Sequence, residues 1–300
     1  KAAVGVEKAS SSRGDSGVSE EVIEALKKQY GFDKPLHQRY FIWLKNLVKF
    51  DFGESFTYEE PVTSLIASKF PVSLQFGIIS LILTYLVFIP MGVIKAIKNG
   101  TKFDLASSFF LFVLYSIPGF MLAILLIVFF AGGNFLEWFP IGDLYSDLYS
   151  EMSFWGKIAD RVHHFILPLI CYMIGHFTVL TMLMKNSLLE EIKKDYIRTA
   201  RAKGLDEKMV YLKHALRNAL IPIVTGLGGL LSVFFASSLL LEMIFNLDGM
   251  GLLSYHAVLE RDYNVIMGLL FIQSVLMLVG NLLSDLAYTM VDPRIDYNKG

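Results

Sequence analysis

The stretch TARAKGLDEKMVYLKHALRNALIP, Thr199 to Pro222, decides how this chain is read. It holds Arg201, Lys203, Asp206, Glu207, Lys208, Lys213 and Arg217, yet it lies between two segments apolar enough to cross a bilayer. Its punctuation is helical. Ser187-Leu188-Leu189-Glu190 fits a Ser-x-x-Glu capping box, which predicts a helix from there to Lys203. Gly204 offers the left-handed geometry that ends a helix at little cost, and Asp206 can cap the next helix with Glu207 in its first turn. In that second helix Met209, Leu212, Leu216 and Leu220 fall near one face. The expectation is a helix–glycine turn–helix, too polar to insert and too well capped to be a slack tether.

The segments around it are long and apolar. The 300-residue chain is 54% hydrophobic, with a mean hydropathy of +0.51, more apolar surface than a soluble domain needs. Five runs, 72–94, 105–130, 164–184, 221–246 and 265–289, each reach the ~20 helical residues that cross a ~30 Å hydrocarbon core. Helices satisfy their own backbone in lipid, and runs this continuous are not the alternating strands of a barrel. Net charge is −1 and names no partner, but its distribution does. Loop 95–104 holds Lys95, Lys98 and Lys102, and 185–218 holds nine Lys and Arg, whereas 131–163 holds Lys157 and Arg161 against five acids, and 247–264 only Arg261. The basic loops therefore belong on the cytoplasmic side, which places the N-terminal region outside and the C-terminal tail inside.

Residues 1–70 read as an extracytoplasmic segment with short amphipathic helices. Residues 1–18 are polar and Ser/Gly-rich, a disordered composition. Ser19 can cap EEVIEALKKQY with Gly31 past its end, and a second helix starts near Asp33 and Pro35 with Leu36, Tyr40, Leu44 and Leu47 on one face. Residues 71–290 form the transmembrane domain with the charged loop 185–220, and 291–300 the tail. The chain begins Lys-Ala-Ala-Val-Gly, without Met, which reads as a truncated or processed start.

Polar residues inside spans are expensive and so mark candidates for the path or for structure: His176, Glu242, Asn281 and Asp285. For His176 a helix–helix hydrogen bond competes with a place on the path. Asp285 is near enough to the cytoplasmic end to reach water, and Glu242 is placed to fix the Asn246–Gly251 turn. Pro118, Pro168 and Pro222 kink or end helices. His163-His164 suit capping at a membrane boundary rather than a metal, and Cys171 lies alone in an apolar run. No G-x-x-x-x-G-K-[ST] loop is present. Gly226, Gly228 and Gly229 suit close helix packing rather than a dinucleotide. For the charged hairpin, three readings stand: a solvated loop, a patch for anionic lipid worth ~1 kcal/mol per basic residue, and a docking element for a cytoplasmic protein. The caps, with the small residues Ala200, Ala202 and Gly204, favour docking.

The pattern TARAKG…HALRNALIP resembles the cytoplasmic loop of permease subunits in ABC-type importers, in their peptide-importer branch. The family pattern Glu-Ala-Ala-x₃-Gly-x₉-Ile-x-Leu-Pro is met by Arg198, Thr199, Ala200 and Gly204, then by His214 to Arg217, with departures associated with peptide permeases. KFDFGESFTYEEPVTSLIASKFPVSL, LLEMIFNLDGMGLL and YTMVDPRIDY resemble further family segments. YGFDKPLHQRYF, LLIVFFAGG and LTMLMKNS look closest to the Yej-type branch, whose systems import oligopeptides and the peptide antibiotic microcin C.

The resemblance implies an all-α type I importer transmembrane domain, with five spans in view and a sixth expected upstream, in a bacterial inner membrane. It implies a second homologous permease, two cytoplasmic ATPases that bind ATP and Mg, an extracytoplasmic solute-binding protein, and no nucleic acid. The ATPase-docking loop would be Arg198, Thr199, Ala200, Arg201, Lys203, Gly204, Leu205, Asp206 and His214. A passive channel and an intramembrane enzyme using His176 and Asp285 are the alternatives.

Overall fold

The computed structural model describes residues 34–133, 135–226 and 239–291, apart from the side chains of 287, 288, 290 and 291. The expected helix at 20–30, the 292–297 tail motif, Gly228, Gly229 and the middle of the 221–246 run lie outside the described residues. The chain divides into two compact units, 1–52 and 53–300. In the first, α1 spans Leu36–Val48, its entry set by Pro35 at φ −56°. Of its expected apolar stripe, Leu44 and Leu47 are half-buried, while Leu36 and Tyr40 are exposed.

The second unit is helical. Helix α2 (Val62–Ile97) is followed by α3 (Lys102–Ser116) and α4 (Gly119–Phe130), then by α5 (Phe154–Glu191). Next come α6 (Asp195–Ala202), α7 (Glu207–Met209), a π-helical turn (Val210–Ala215), α8 (Leu216–Ala219) and α9 (Ile221–Thr225). After the undescribed residues follow α10 (Leu239–Ile244), α11 (Met250–Leu259) and α12 (Tyr263–Val291). Among the described residues the extended structure is one isolated bridge, Glu54–Pro61. The architecture is all-α.

Among the described residues, three helices are long and apolar enough to cross a membrane: Val62–Ile97, Phe154–Glu191 and Tyr263–Leu286. The 105–130 run is not one straight helix. It breaks between Ser116 and Gly119, with the halves bent by 99°. Pro118 causes the break, because it lacks an N–H and disfavours helical geometry in Ile117, which takes φ −89°, ψ 121°. The two halves nonetheless run steadily along α5 in the opposite sense. Asp104 pairs with Lys185, the Leu111 carbonyl accepts from Thr178 at 3.0 Å, and a Cβ on Gly119 would lie 3.6 Å from the Cys171 carbonyl. Beyond α4, the Trp138 carbonyl meets the His163 ring. These contacts carry the bent pair from one end of α5 toward the other, the course of a broken crossing.

Two apolar cores form, one at each end of the α2–α5 pair. At the acidic-loop end, Phe76 stacks on Phe165 and Tyr172 at centroid distances of 4.5 and 5.7 Å, beside Leu122, Leu241 and Phe245. At the basic-loop end, Phe88, Val93, Met184 and Leu188 pack on the hairpin described below.

Buried polar anchors fix the acidic-loop end. Glu242 is 1% exposed. Its Oε1 accepts from Ser73 Oγ at 3.0 Å, and its Oε2 accepts from the Leu252 N–H at 2.7 Å. Ser73 Oγ also accepts from the Met250 N–H at 2.8 Å. Together they satisfy the first N–H groups of α11, which its N-cap residue Gly249 cannot. The residue therefore holds the Asn246–Gly251 turn. A Cβ on Gly249 would lie 2.2 Å from Glu242 Oε1, so the carboxylate and the glycine require each other.

Asp262, fully buried, does the same for α12 and for residues 55–57. It accepts from Ser55 Oγ (2.6 Å), the N–H of Phe56 (2.9 Å) and Thr57 (3.2 Å), and the N–H of Val265 (3.2 Å). His164 Nδ1 lies 2.9 Å from the Gly142 carbonyl. With His163 on Trp138, the two histidines secure the 138–143 loop.

Gly249→Ala should cost about 1–3 kcal/mol by overpacking against Glu242, read as a lower melting temperature in detergent. Asp262→Ala should cost about 1–3 kcal/mol, because it strands the Ser55 hydroxyl and three backbone N–H groups, and should speed proteolysis of the 53–60 segment. Wild-type melting and cleavage would show these anchors to be dispensable.

Candidate functional site

The charged hairpin begins later than the Ser-x-x-Glu pattern suggests. Ser187 sits inside α5, which continues to Glu191. A capping box needs an extended residue at its start, and Ser187 is helical, so that expectation is corrected. The chain instead breaks at Ile192–Lys194 and restarts at Asp195, with Lys194 in extended geometry (φ −70°, ψ 152°). Glu191 organises the break: it accepts from Lys194 Nζ and from Tyr196 Oη, and Tyr196 Oη in turn accepts from Asn218 Nδ2 at 3.0 Å.

The turn itself is as expected. Gly204 has φ +77°, and its N–H donates to the Arg201 carbonyl at 2.9 Å. The Leu205 N–H reaches the Ala200 carbonyl at 3.4 Å, completing a Schellman end for α6. Asp206 then caps α7 by accepting from the Lys208 N–H at 3.2 Å. A clamp across the turn is not legible in the spacing of the residues. Arg201 Nε donates to Glu207 Oε1 at 2.8 Å and Nη2 to Oε2 at 3.3 Å, with the guanidinium over the Tyr211 ring at 5.9 Å. The hydrogen bond from Arg201 holds the Glu207 carboxyl below its ordinary range, and the same bond raises the guanidinium. The clamp is therefore intact at neutral pH and is lost as pH falls through the depressed carboxyl value.

The second arm faces differently from the expected stripe. Val210 and Ala215 are fully buried, Ala219 and Ile223 nearly so. Met209 is 46% exposed and Leu212 55%. The π-helical turn Val210–Ala215 is the reason: its extra residue sets five positions between the first two buried residues, and four-residue spacing resumes afterwards. Of the four residues that a count at 3.6 residues per turn puts on one face, Leu216 and Leu220 are half-buried against the core, and Met209 and Leu212 are turned away from it. Ile197 and Ala200 complete the inward surface, seated on Val93, Ala96, Met184 and Leu188. Ala200 serves packing within this chain rather than approach by another surface.

What remains outward is Arg198, Thr199, Lys203, Gly204, Leu205 and Asp206, all exposed, with Arg201 and His214 half-buried. Leu205, Met209 and Leu212 form its apolar part. The hairpin is thus a braced element, with one side joined to the bundle and the other presented outward.

The other singled-out polar residues are dispersed. His176 is half-buried midway along α5, Glu242 is the α11 anchor, and Asn281 and Asp285 are exposed on α12 one turn apart. Next to them, Ser284 is buried and donates to the carbonyls of Val224 and Thr225 at 2.9 and 3.0 Å, fastening α12 to the hairpin's exit helix. His176 and Asp285 lie on different helices and share no hydrogen bond among those described.

Comparison with known proteins identifies this arrangement. Residues 88–297 match the family described as the binding-protein-dependent transport system inner membrane component. The chain is 46% identical over 286 residues to the inner membrane ABC transporter permease protein YejB of Escherichia coli O157:H7, covering 95% of this chain and 79% of that one. It is 46% identical to the peptidoglycan transport system permease protein YejB of Agrobacterium fabrum (98% and 81% covered). It is 38% identical to the oligopeptide transport system permease protein AppB of Bacillus subtilis (94% and 88% covered). In fold it resembles the inward-facing MetNI methionine ABC transporter, with a TM-score of 0.58 at 16% identity over 76% of this chain and 96% of that one. The chain therefore belongs to the family of binding-protein-dependent transport system inner membrane components, the multi-pass permease subunits of ABC importers, whose ATPase is a separate subunit.

Proposed function

We propose that this chain forms part of the path by which an ATP-driven importer carries peptides across a bacterial inner membrane, and that its 195–215 hairpin is the lever gripped by the ATPase. The observation that carries this reading is the two-sided hairpin, clamped by Arg201–Glu207, packed inward through Ile197, Ala200 and Val210, and presenting Leu205, Met209 and Leu212 outward. An exposed apolar patch rimmed by charge is a common signature of a protein–protein contact. A floppy loop would absorb a displacement that this braced hairpin transmits.

The relatives' names support the cargo class. The B. subtilis relative is named for oligopeptides and the A. fabrum relative for peptidoglycan, whose stem is a peptide. Oligopeptides are therefore the proposed substrate, with microcin C-like peptide antibiotics among them. The complex comprises a second homologous permease, two ATPases binding ATP and Mg, and an extracytoplasmic binding protein. The hairpin, loop 185–220 and the C-terminal tail lie in the cytoplasm, a reading that the distribution of Lys and Arg supports. Residues 1–70 lie outside and 71–290 form the permease domain. Asn281 and Asp285 would be costly against lipid, so that side of α12 faces the second permease or the water-filled path. Glu242 is structural.

Leu205→Asp combined with Met209→Asp should reduce co-purification of the ATPase subunits at least tenfold while membrane insertion is unchanged; wild-type recovery would overturn the docking role. In proteoliposomes containing the whole complex, peptide uptake should require ATP and the binding protein. Uptake down a gradient without ATP would favour a channel, and cleavage of the peptide by the purified chain an enzyme.

A further inference from the structure

Apart from the outward side of the hairpin, three charged side chains are buried together at the same end of the bundle. Lys95 lies in the last turn of α2, Asp104 in the first turn of α3, and Lys185 in α5 one turn before Leu188. They are 0%, 3% and 9% exposed. Lys185 Nζ donates to both carboxylate oxygens of Asp104, at 2.8 and 2.7 Å. Lys95 Nζ lies 3.1 Å from Asp104 Oδ1 and donates to the Asp104 carbonyl (2.9 Å), Ser107 Oγ (2.7 Å) and Ser108 Oγ (2.7 Å). The Gly100 N–H adds a bond to Oδ2 at 3.0 Å.

Position gives this cluster its meaning. Val93 and Ala96 border Lys95, Met184 and Leu188 border Lys185, and those four side chains are the floor on which the hairpin sits. Helix α3 is otherwise loosely held: of its 15 residues only Asp104 and Leu111 are buried. Apolar contacts hold helices together through many weak, non-directional attractions. Charge-assisted hydrogen bonds fix direction and register as well. Fold stability does not explain the arrangement, since well-packed apolar replacements of buried ion pairs are often neutral or stabilising.

We propose that the Lys95–Asp104–Lys185 cluster is the joint that makes α2, α3 and α5 follow the hairpin as one body, so that ATPase motion reaches the broken α3–α4 crossing. This rests on the hairpin being the ATPase-driven lever. Lys95, Asp104 and Lys185 are positioning residues: their substitution alters the efficiency of transport and not the binding of cargo.

The test uses the complete transporter in liposomes. Asp104→Asn leaves two lysines buried side by side and is prone to fail in assembly. The informative variant is K95M/D104L/K185M, which removes every charge of the cluster while approximately conserving volume. Its ATPase content and ATP hydrolysis should stay within twofold of wild type, while peptide taken up per ATP falls at least tenfold. Spin labels at Phe109→Cys on α3 and Lys208→Cys on the hairpin should keep one distance through the ATP cycle in the parent and show a broadened distribution in the triple variant. Wild-type uptake per ATP in the triple variant, or a label distribution in it as narrow as the parent's, would overturn the joint; so would a triple variant unable to insert and bind ATPase, which would make the cluster a packing element. Failure of the unmodified chain to bind ATPase would instead refute the lever itself.

Discussion

The structure depends on how the charged hairpin is seated. Ile197, Ala200, Val210 and Ala215 are buried on Met184, Leu188, Val93 and Ala96. Without that apolar contact the hairpin would be a solvated loop of alternating charges, free to point anywhere. With it, the turn at Gly204, the Asp206 cap and the Arg201–Glu207 clamp all act on a body already joined to two long helices. The local devices shape the hairpin, and the burial of its inner side gives it a fixed relation to the bundle.

The opposite end of the bundle is ordered by different means. There the anchors are two buried carboxylates, Glu242 and Asp262, each set near the start of a helix and surrounded by hydrogen-bond donors. A buried carboxylate is expensive unless its oxygens are satisfied. Here Ser73, Ser55 and backbone N–H groups satisfy them, and the same bonds hold the 55–57 segment and the 246–251 turn. Apolar packing sets the approach of the long helices, while these polar anchors set the conformation of the short connections at that end.

Much of this was legible in the residues. The apolar runs at 72–94, 105–130, 164–184 and 265–289, the helix-ending Gly204, the Asp206 cap and the break at Pro118 each follow from local chemistry, and the structure has helices, turn, cap and break at those places. Glu242 as the holder of the Asn246–Gly251 turn was also readable, because a lone carboxylate in an apolar run needs nearby donors. Three features were not. Ser187 carries the letters of a capping box but lies within a continuous helix, because the apolar seam of α5 continues through Leu188. Met209 and Leu212 share a face with Leu216 and Leu220 on a 3.6-residue count but are exposed in the structure, because a π turn leaves no mark in the hydrophobic period. Lys95, Asp104 and Lys185 look like ordinary loop charges until α2, α3 and α5 are brought together.

Local chemistry along the chain thus established which segments are apolar enough for lipid, where helices start and stop, and which loops carry positive charge. These depend on neighbours within a turn or two. Partner choice among distant side chains, the inward or outward facing of each hairpin residue, and whether the bent α3–α4 pair traverses or returns belong to the folded bundle. Each turns on contacts between residues tens of positions apart, and a burial pattern that one extra residue in a π turn rotates by roughly a quarter-turn leaves no local signature to read.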